Sequence, residues 1–245
     1  MFETAVRDGV LRLRREGARW LSSGWAGGHC RADAAYNVSV PEGFDRTDLD
    51  AYLAERRDRV GFDGAGPALL TGVDLRHARG ARCGPVAAVA TAGLSNPAAL
   101  PIDPDPDPDP DPDGDGVERS SDSPRHAGTV NVVVGADRSL ADGALTNLLA
   151  VAVEAKTATL LAATGFPGTT SDAAIAACDP AGEPAAFSGS ATEVGACARA
   201  CVREAVSASL DSRYADGDGD SALPESVADA DYGVVTDRRA SVFTP

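Results

Sequence analysis

The stretch LTNLLAVAVEAKTATL, residues 145–160, has the spacing of apolar residues that is typical of an amphipathic helix. At about 100° per residue its larger apolar side chains fall on one face of an α-helix. They are Leu145, Leu148, Leu149, Ala152, Val153 and Leu160. Lys156, the only lysine in the chain, falls in the middle of the same face. The pattern predicts a helix packed against a core, with a lysine where a leucine is expected.

Lys156 has two interpretations that the sequence leaves open. A buried ammonium is costly unless it is paired, and a lysine in such a place can lose its proton and act as a base or activate a nucleophile. Alternatively, the hydrocarbon stem packs on the core while the ammonium reaches solvent at the rim. The first interpretation makes Lys156 a candidate catalytic residue.

Length and composition favour one domain without a membrane segment. The chain has 245 residues, of which 43% are hydrophobic, and this suits a single core. There is no run of about 18 apolar residues, and the N-terminus has no basic region followed by an apolar one. We therefore expect neither a spanning helix nor a signal peptide, and we expect a cytoplasmic protein.

The charge excludes two classes of partner. A net charge of −15 arises from 37 acidic and 22 basic side chains. Such an excess repels nucleic-acid phosphates and anionic lipids, so we expect neither nucleic acid nor membrane as a partner. Abundant aspartate, a single lysine and 5% aromatic residues are also typical of proteins adapted to very high salt.

The cysteines and histidines do not predict a metal site. Five cysteines at irregular spacing, in a compartment expected to be reducing, do not suggest a disulfide framework. Cys197 and Cys201 are four residues apart on a predicted helix, but the apolar stripe of that helix makes both thiols small core residues. The three histidines are scattered. We therefore expect no metal and no cofactor.

Short apolar and β-branched runs predict the strands. Residues 10–14 and 18–22 flank Glu16-Gly17 and predict a hairpin. Further strands are predicted at residues 36–40, 69–73, 86–90, 130–134, 172–177 and 232–236.

Three helices are predicted between these strands, each with a capping pair at its start. They end near residues 60, 164 and 210, and their capping pairs are Thr47 with Asp50, Ser139 with Asp142, and Ser190 with Glu193. Because helices and strands interleave, we predict an α/β or mixed α+β fold. It is a single domain with one central, mostly buried sheet flanked by helices.

Two acidic segments interrupt this pattern. Residues 101–125 contain an Asp-Pro alternation that repels itself and has little to bury, which predicts a disordered, solvated insertion loop. Its residues 111–122 resemble a calcium loop, but the expected glutamate and flanking helices are missing, which favours the solvated loop. Residues 211–231 are predicted to be an acidic linker before the final strand.

Four segments place small hydroxyl and amide side chains beside glycine: residues 22–28, 91–96, 128–131 and 168–172. Glycine lets a backbone approach a ligand closely, and Ser, Thr and Asn offer neutral hydrogen bonds. Such residues also form ordinary turns, so no single segment is decisive. Together they favour a polar, uncharged substrate.

The P-loop and the Gly-x-Ser-x-Gly pattern are absent from the sequence, which removes the usual support for a kinase or an esterase.

Seven segments also form an ordered set. They are LSSGWAGG (21–28), LLTGVDL (69–75), TAGLSN (91–96), GTVNVVV (128–134), VEAKT (153–157), GTTSDA (168–173) and DYGVVT (231–236). This order, from about residue 13 to residue 235, resembles the adenosylcobinamide amidohydrolase family of corrinoid salvage. The chain departs from the family pattern in its Asp-Pro loop and at Phe166-Pro167, which replace the first two residues of the family's ATGTxTD motif.

The resemblance implies hydrolysis of the amide that joins a propionyl side chain of the corrin ring to aminopropanol. The products are then adenosylcobyric acid and 1-amino-2-propanol, and the corrinoid is a small-molecule substrate rather than a cofactor. Two other functions stay open. One is a corrinoid-binding or carrier protein without chemistry, and the other is an acidic scaffold that acts through the Asp-Pro loop.

Amide hydrolysis needs an attacking oxygen, a base, donors for the oxyanion and a proton for the leaving amine. The candidate catalytic residues are Lys156, Asp172 and Glu154, although ideal helix geometry places Glu154 on the opposite side from Lys156. Ser95 or Thr129 would be the nucleophile of a covalent mechanism. The candidate substrate-binding residues are Ser23, Ser95, Asn96, Thr129, Asn131 and Thr169.

The acidic composition generates a prediction about salt. Self-repulsion of the surface should destabilise the protein at low ionic strength, and added ions should screen it. We expect the melting temperature to rise steeply between dilute and concentrated potassium chloride, as measured by thermal unfolding. A flat response would contradict this interpretation of the charge.

Overall fold

The computed structural model describes residues 2–102, 128–215, 222–230 and 232–245. Within these ranges the chain forms the α-helices α1 (Leu49–Arg59), α2 (Asp142–Thr164) and α3 (Glu193–Tyr214). The strands are β1 (Glu3–Arg7), β2 (Val10–Arg14), β3 (Arg19–Ser22), β4 (Gly28–Arg31), β5 (Ala34–Ser39), β6 (Ala68–Thr71), β7 (Arg79–Cys83), β8 (Val86–Ala92), β9 (Pro97–Ala99), β10 (Val130–Leu140), β11 (Gly168–Thr169), β12 (Ala173–Ala185) and β13 (Val234–Val235). The predicted mixed α+β fold class is confirmed.

The larger sheet has six strands in the order β4-β3-β12-β10-β8-β7. The pair β10 and β12 is parallel, and the other neighbours are antiparallel. Helices α2 and α3 cover one face, where Val132 and Val134 of β10 pack with Leu148 and Val202 in the largest apolar cluster. Val133 belongs to the cluster on the opposite face, as the two-residue period of a strand requires. The sheet is therefore buried on both sides.

A second sheet, β1-β2-β5-β6, packs on that opposite face. Leu11 and Leu69 of this sheet contact the cluster that contains Val133 and Ile175 of the larger one. The outer face of the second sheet is covered by α1, whose Tyr52 is buried. The layers are thus a helix pair, two sheets and one helix, so the predicted central sheet has a second sheet beside it. Strands β11, β9 and β13 form a third, small sheet in that order.

Helix α3 holds the end of β8 in place. The Ser209 hydroxyl accepts a hydrogen bond from Ala92 N at 2.9 Å and donates one to His77 O at 2.8 Å. Two residues further along, Leu94 N donates to the Tyr214 hydroxyl at 2.9 Å. These contacts fix the path of the chain toward the predicted site residues Ser95 and Asn96.

The predicted hairpin of residues 10–14 and 18–22 is wrong. Strand β2 pairs with β1 and β5, whereas β3 pairs with β12 and β4, so the two segments belong to different sheets. The connecting turn is held by Asp33, whose carbonyl accepts from Arg15 N at 2.8 Å and whose carboxylate accepts from Gly17 N at 2.8 Å. These bonds come from outside the segment, and local alternation cannot reveal them.

The predicted helix caps are also wrong. At their N-termini α1 and α2 have Asp48 and Ala141, neither of which makes a side-chain capping bond, and Ser139 lies within β10. Helix α3 is capped two residues later than expected, by the Thr192 hydroxyl, which accepts from Gly195 N at 3.0 Å. The predicted end of α2 is confirmed, since its last residue is followed by Gly165 in the left-handed conformation.

The acidic segments lie partly outside the described residues. This holds for residues 103–127, which contain most of the predicted insertion loop and the calcium-like stretch, and for residues 216–221 and 231 of the predicted linker. Residues 211–214 are helical rather than linker, because α3 continues to Tyr214. The predicted final strand is shorter than expected and forms β13, which is parallel to β9.

Helix α2 is long and apolar enough, by length and composition, to cross a membrane, which the sequence had not led us to expect. The buried residues of α2, among them Leu145, Leu148 and Leu160, pack into the core cluster of the larger sheet. Core helices of folded domains meet the same criteria of length and composition.

Ser209 provides a test of the contact between α3 and β8. In Ser209→Ala the amide of Ala92 loses its partner while buried, which should lower the free energy of unfolding by about 1–3 kcal/mol. Ser207→Ala, at a half-buried position of the same helix, is the control and should change it little. Chemical denaturation measures both, and equal losses would contradict the assigned role.

Candidate active site

Lys156 is buried in the middle of α2. The residue is 7% exposed, and its Nζ donates a hydrogen bond to Oδ2 of Asp172. The interpretation that the ammonium reaches solvent at the rim is therefore wrong. Lys156 and Asp172 thus form a buried ion pair.

Asp172 stands at the end of the turn between β11 and β12. Besides Lys156, its oxygens accept from Thr169 N at 3.1 Å, from the Thr169 hydroxyl and from Val130 N at 2.8 Å. Gly168 permits this packing, because a Cβ atom there would lie 2.6 Å from Asp172 Oδ2 and 3.4 Å from Lys156 Nζ. Four donors hold the carboxylate, so Asp172 acts as a fixed anion that orients the ammonium.

A cavity of about 340 Å³ opens beside Asp172, the partner of Lys156, between the ends of the two large sheets. Its polar wall contains Ser23, Thr129, Ser171 and Asp172, and Trp25 stands at its mouth. The opposite wall comes from the end of β6 and the residues that follow it. Three of the predicted site residues, from three distant parts of the chain, thus share one cavity.

Two hydroxyl groups meet in the polar wall. Thr129 Oγ1 and Ser171 Oγ are 3.1 Å apart, and Ser171 Oγ donates to Gly128 O at 3.3 Å. The backbone here is tightly packed, since a Cβ atom on Gly128 would lie 2.4 Å from Ser95 N. Hydroxyl groups next to a fixed ion pair suit the binding and polarisation of a neutral amide.

Ser23 joins the turn after β3 to the start of β12. Its hydroxyl accepts from Ala174 N at 2.9 Å and donates to Ala174 O at 3.3 Å, and its own backbone N donates to Ala174 O at 2.9 Å. Ser23 therefore fixes one wall of the cavity.

Asn96 and Ser95 lie behind the cavity wall. Asn96 Nδ2 donates to the Thr170 hydroxyl, and Asn96 O accepts from Thr170 N at 3.2 Å. Asn96 Oδ1 is buried without a hydrogen-bond partner. Thr169, another predicted binding residue, uses its hydroxyl on Asp172. These side chains shape the turn that contains Asp172.

Asn131 lies between the two sheets. Its Nδ2 donates to Asn37 Oδ1 at 3.0 Å and to Leu70 O at 2.8 Å, and Asn37 Nδ2 donates in turn to the Thr91 hydroxyl at 3.0 Å. Both donor hydrogens of Asn131 are thus used within the protein. The sequence predicted Asn131 as a substrate donor, whereas the structure places it in a buried link between sheets.

Glu154 is not brought into the cluster. It is exposed on α2 and pairs with Arg199 of α3. This placement confirms that Glu154 and Lys156 lie on different sides of the helix. Of the three catalytic candidates, the structure brings together Lys156 and Asp172.

Two residues of this cavity were missed from the sequence. Ser171 lies inside the quoted motif GTTSDA and Trp25 inside LSSGWAGG, so the motifs included them. Only the pairing of β3 with β12 shows that both motifs border one cavity. Another cavity, of about 350 Å³ between β1, β2, β7 and β8, contains none of the predicted site residues.

The thiols lie away from this site. Cys83 Sγ and Cys197 Sγ are 3.1 Å apart, and this contact, followed by burial, raises the pKa of Cys197 to about 11. Burial raises the pKa of Cys201 to about 11, and Cys201 is a core residue as predicted. In the described part of the chain, no group of three or more His, Cys, Asp or Glu side chains is placed to hold a metal ion.

The space around Gly168 can be tested by overpacking. Gly168→Ala would push its new methyl group against the Asp172 carboxylate and disturb its four hydrogen bonds, at a cost of about 1–3 kcal/mol in unfolding free energy. Gly143→Ala is the matched control, since a Cβ atom there meets nothing within 4 Å and alanine favours the helix. Urea unfolding distinguishes the two, and a neutral Gly168→Ala would show that the turn is loose.

Comparison with known proteins agrees with the order of motifs. A family model described as adenosylcobinamide amidohydrolase matches residues 2–218. The adenosylcobinamide amidohydrolase of Halobacterium salinarum is 56% identical over 249 residues, with all of both chains covered. That of Methanosarcina mazei is 27% identical over 218 residues, which cover 85% of this chain and 97% of the relative. No solved structure matches the chain. The resemblance is therefore confirmed, and the chain belongs to the adenosylcobinamide amidohydrolase family.

Proposed function

We propose that this protein hydrolyses the aminopropanol amide of adenosylcobinamide to adenosylcobyric acid and 1-amino-2-propanol, in corrinoid salvage. The observation that supports this most is the buried pair of Lys156 and Asp172 beside a hydroxyl-lined cavity, in a chain of this family. A neutral amide that enters the cavity meets hydroxyl groups and one fixed ion pair.

In the proposed mechanism Thr129 supplies the attacking oxygen. Of the two candidate nucleophiles, Thr129 is part of the cavity wall, whereas Ser95 lies behind it. As Thr129 Oγ1 attacks the carbonyl carbon, its proton passes to Ser171 Oγ, 3.1 Å away, while the Ser171 proton turns from Gly128 O to the amide nitrogen. The C–N bond then breaks, which releases 1-amino-2-propanol and leaves the acid as an ester on Thr129. A water molecule hydrolyses this ester, which frees adenosylcobyric acid and restores the Thr129 hydroxyl.

Lys156 stabilises the oxyanion in this mechanism. An ammonium has three N–H groups, and one is used on Asp172. A further N–H group is available to the negative oxygen that forms when the amide is attacked. Asp172 orients the ammonium, so that it need not reorganise during the reaction.

The alternative is a corrinoid carrier without chemistry. A carrier needs hydrogen-bonding loops but gains nothing from a buried ion pair, which is costly to desolvate. Ionisable groups placed in this way are typical of catalytic sites. We therefore favour the enzyme.

We further propose that it works in the cytoplasm without a metal or other cofactor, and without nucleic acid or membrane as a partner.

Substitution of Lys156 separates its catalytic role from its structural one. We expect Lys156→Met to lower turnover of adenosylcobinamide by roughly 10² or more, because it removes an oxyanion donor. Lys156→Arg should also fail, since a forked guanidinium does not fit a site shaped for an ammonium. Product release is followed by mass spectrometry of adenosylcobyric acid, with circular dichroism to check the fold.

Two further variants serve as controls. The double variant Lys156→Met with Asp172→Asn removes both charges together, so it should be folded but inactive. Glu154→Gln changes a carboxylate on the solvent face and should keep near-parental turnover. Parental turnover in both Lys156 variants would refute the mechanism. Binding without product in the unaltered protein, at any salt concentration, would establish the carrier instead.

A further inference from the structure

Trp25 stands where two cavities meet. It lines the cavity that contains Asp172 and also a neighbouring cavity of about 400 Å³, which includes His29 and Arg57. Trp25 is 48% exposed, whereas Trp20, the other tryptophan of the chain, is fully buried and donates to Ala32 O at 2.8 Å. Trp20 is thus a core residue, and the exposed indole requires another explanation.

The indole is held in a fixed orientation although it is exposed. Its Nε1–H donates to Asp50 Oδ1 at 2.9 Å, in the first turn of α1. The turn that contains it is compact, since a Cβ atom on Gly24 would lie 2.6 Å from the Leu69 side chain and one on Gly27 would lie 2.4 Å from Ser22 O. A rigid aromatic face can bind a ligand with little loss of conformational entropy.

The size of the cavity decides which part of a corrinoid can enter it. A space of about 340 Å³ beside Asp172 has room for the aminopropanol arm, but not for the corrin ring and the adenosyl group as well. When the amide reaches Lys156 and Asp172, the ring system must therefore lie outside, against the mouth of the cavity. Trp25 is the large flat side chain at that position.

The geometry points to Trp25 as the platform on which the flat conjugated surface of the corrinoid stacks while its amide arm enters the cavity. This assignment rests on the proposed hydrolysis for the identity of the substrate. Offset stacking on an aromatic ring adds affinity beyond that of the area it buries. In the neighbouring cavity, His29 and Arg57 offer hydrogen bonds to polar groups at the edge of the ring.

Kinetics of Trp25 variants test the platform. We expect Trp25→Ala to raise KM for adenosylcobinamide by about tenfold, the equivalent of 1.4 kcal/mol, with kcat within about twofold of the parent value. Trp25→Phe keeps an aromatic face and should restore most of the affinity. The control is Phe187→Ala, which removes another exposed aromatic ring, 76% exposed and outside both cavities.

The Asp50 contact provides a readout that general loss of structure would not give. Asp50→Asn keeps an acceptor for the indole and should behave as the parent, whereas Asp50→Ala releases the indole and should raise KM. Combined with Trp25→Ala, Asp50→Ala should add little, because the two act through one contact. Full additivity, or a change in kcat alone, would overturn the assignment.

Calorimetric titration keeps this test separate from the proposed function. In the double variant Lys156→Met with Asp172→Asn, which should be folded but inactive, the effect of Trp25→Ala on Kd is measured whether or not the parent hydrolyses adenosylcobinamide. Cobinamide without the adenosyl group distinguishes stacking on the corrin ring from stacking on the adenine. A loss of affinity for both ligands indicates stacking on the corrin ring, and a loss only for the adenosyl form indicates stacking on adenine. Unchanged Kd for both would refute the platform, even if the unaltered protein is an active amidohydrolase.

Discussion

The buried ion pair of Lys156 and Asp172 is the interaction on which the geometry of the candidate site depends. An ammonium inside an apolar helix face is tolerated only because a carboxylate meets it, and the carboxylate is itself held by the backbone of Thr169 and Val130. Removing one partner of such a pair costs roughly 3–5 kcal/mol. The pair therefore ties α2, the start of β10 and the turn before β12 into one unit, and the turn contributes Ser171 and Asp172 to the cavity wall.

The cavity itself lies at the ends of two sheets that pack on each other. The spacing of the sheets is set by apolar layers around Val133 and by the polar link from Asn131 to Asn37 and Leu70. A polar link across an apolar interface specifies one register, because a shift would leave several buried hydrogen-bonding groups without partners. In this way residues outside the cavity determine its shape, and membership of a conspicuous motif does not by itself mean contact with substrate.

The arrangement also explains how a modest cavity can serve a bulky substrate. The reactive pair is buried and fixed, whereas the indole of Trp25 is exposed and anchored at its edge by Asp50. In our proposal the chemical step and the recognition of the ring fall to different layers, the first to the larger sheet and α2, the second to the turn after β3 and to α1. Affinity for the ring can then change without disturbing the ion pair.

The sequence by itself determined the local features of this protein. The 3.6-residue period and Gly165 predicted α2 and its end, and the apolar runs predicted β8 and β10. The position of Lys156 on an apolar face left two interpretations open, and the structure decided for the buried one. The order of motifs predicted the family. Only the tertiary structure decided that residues 10–14 and 18–22 belong to different sheets, that Asn131 links those sheets, and that Trp25 and Asp172 share a cavity. Periodicity and capping report on neighbours within a few residues, whereas these features are contacts between distant segments, which the packing of the two sheets brings together.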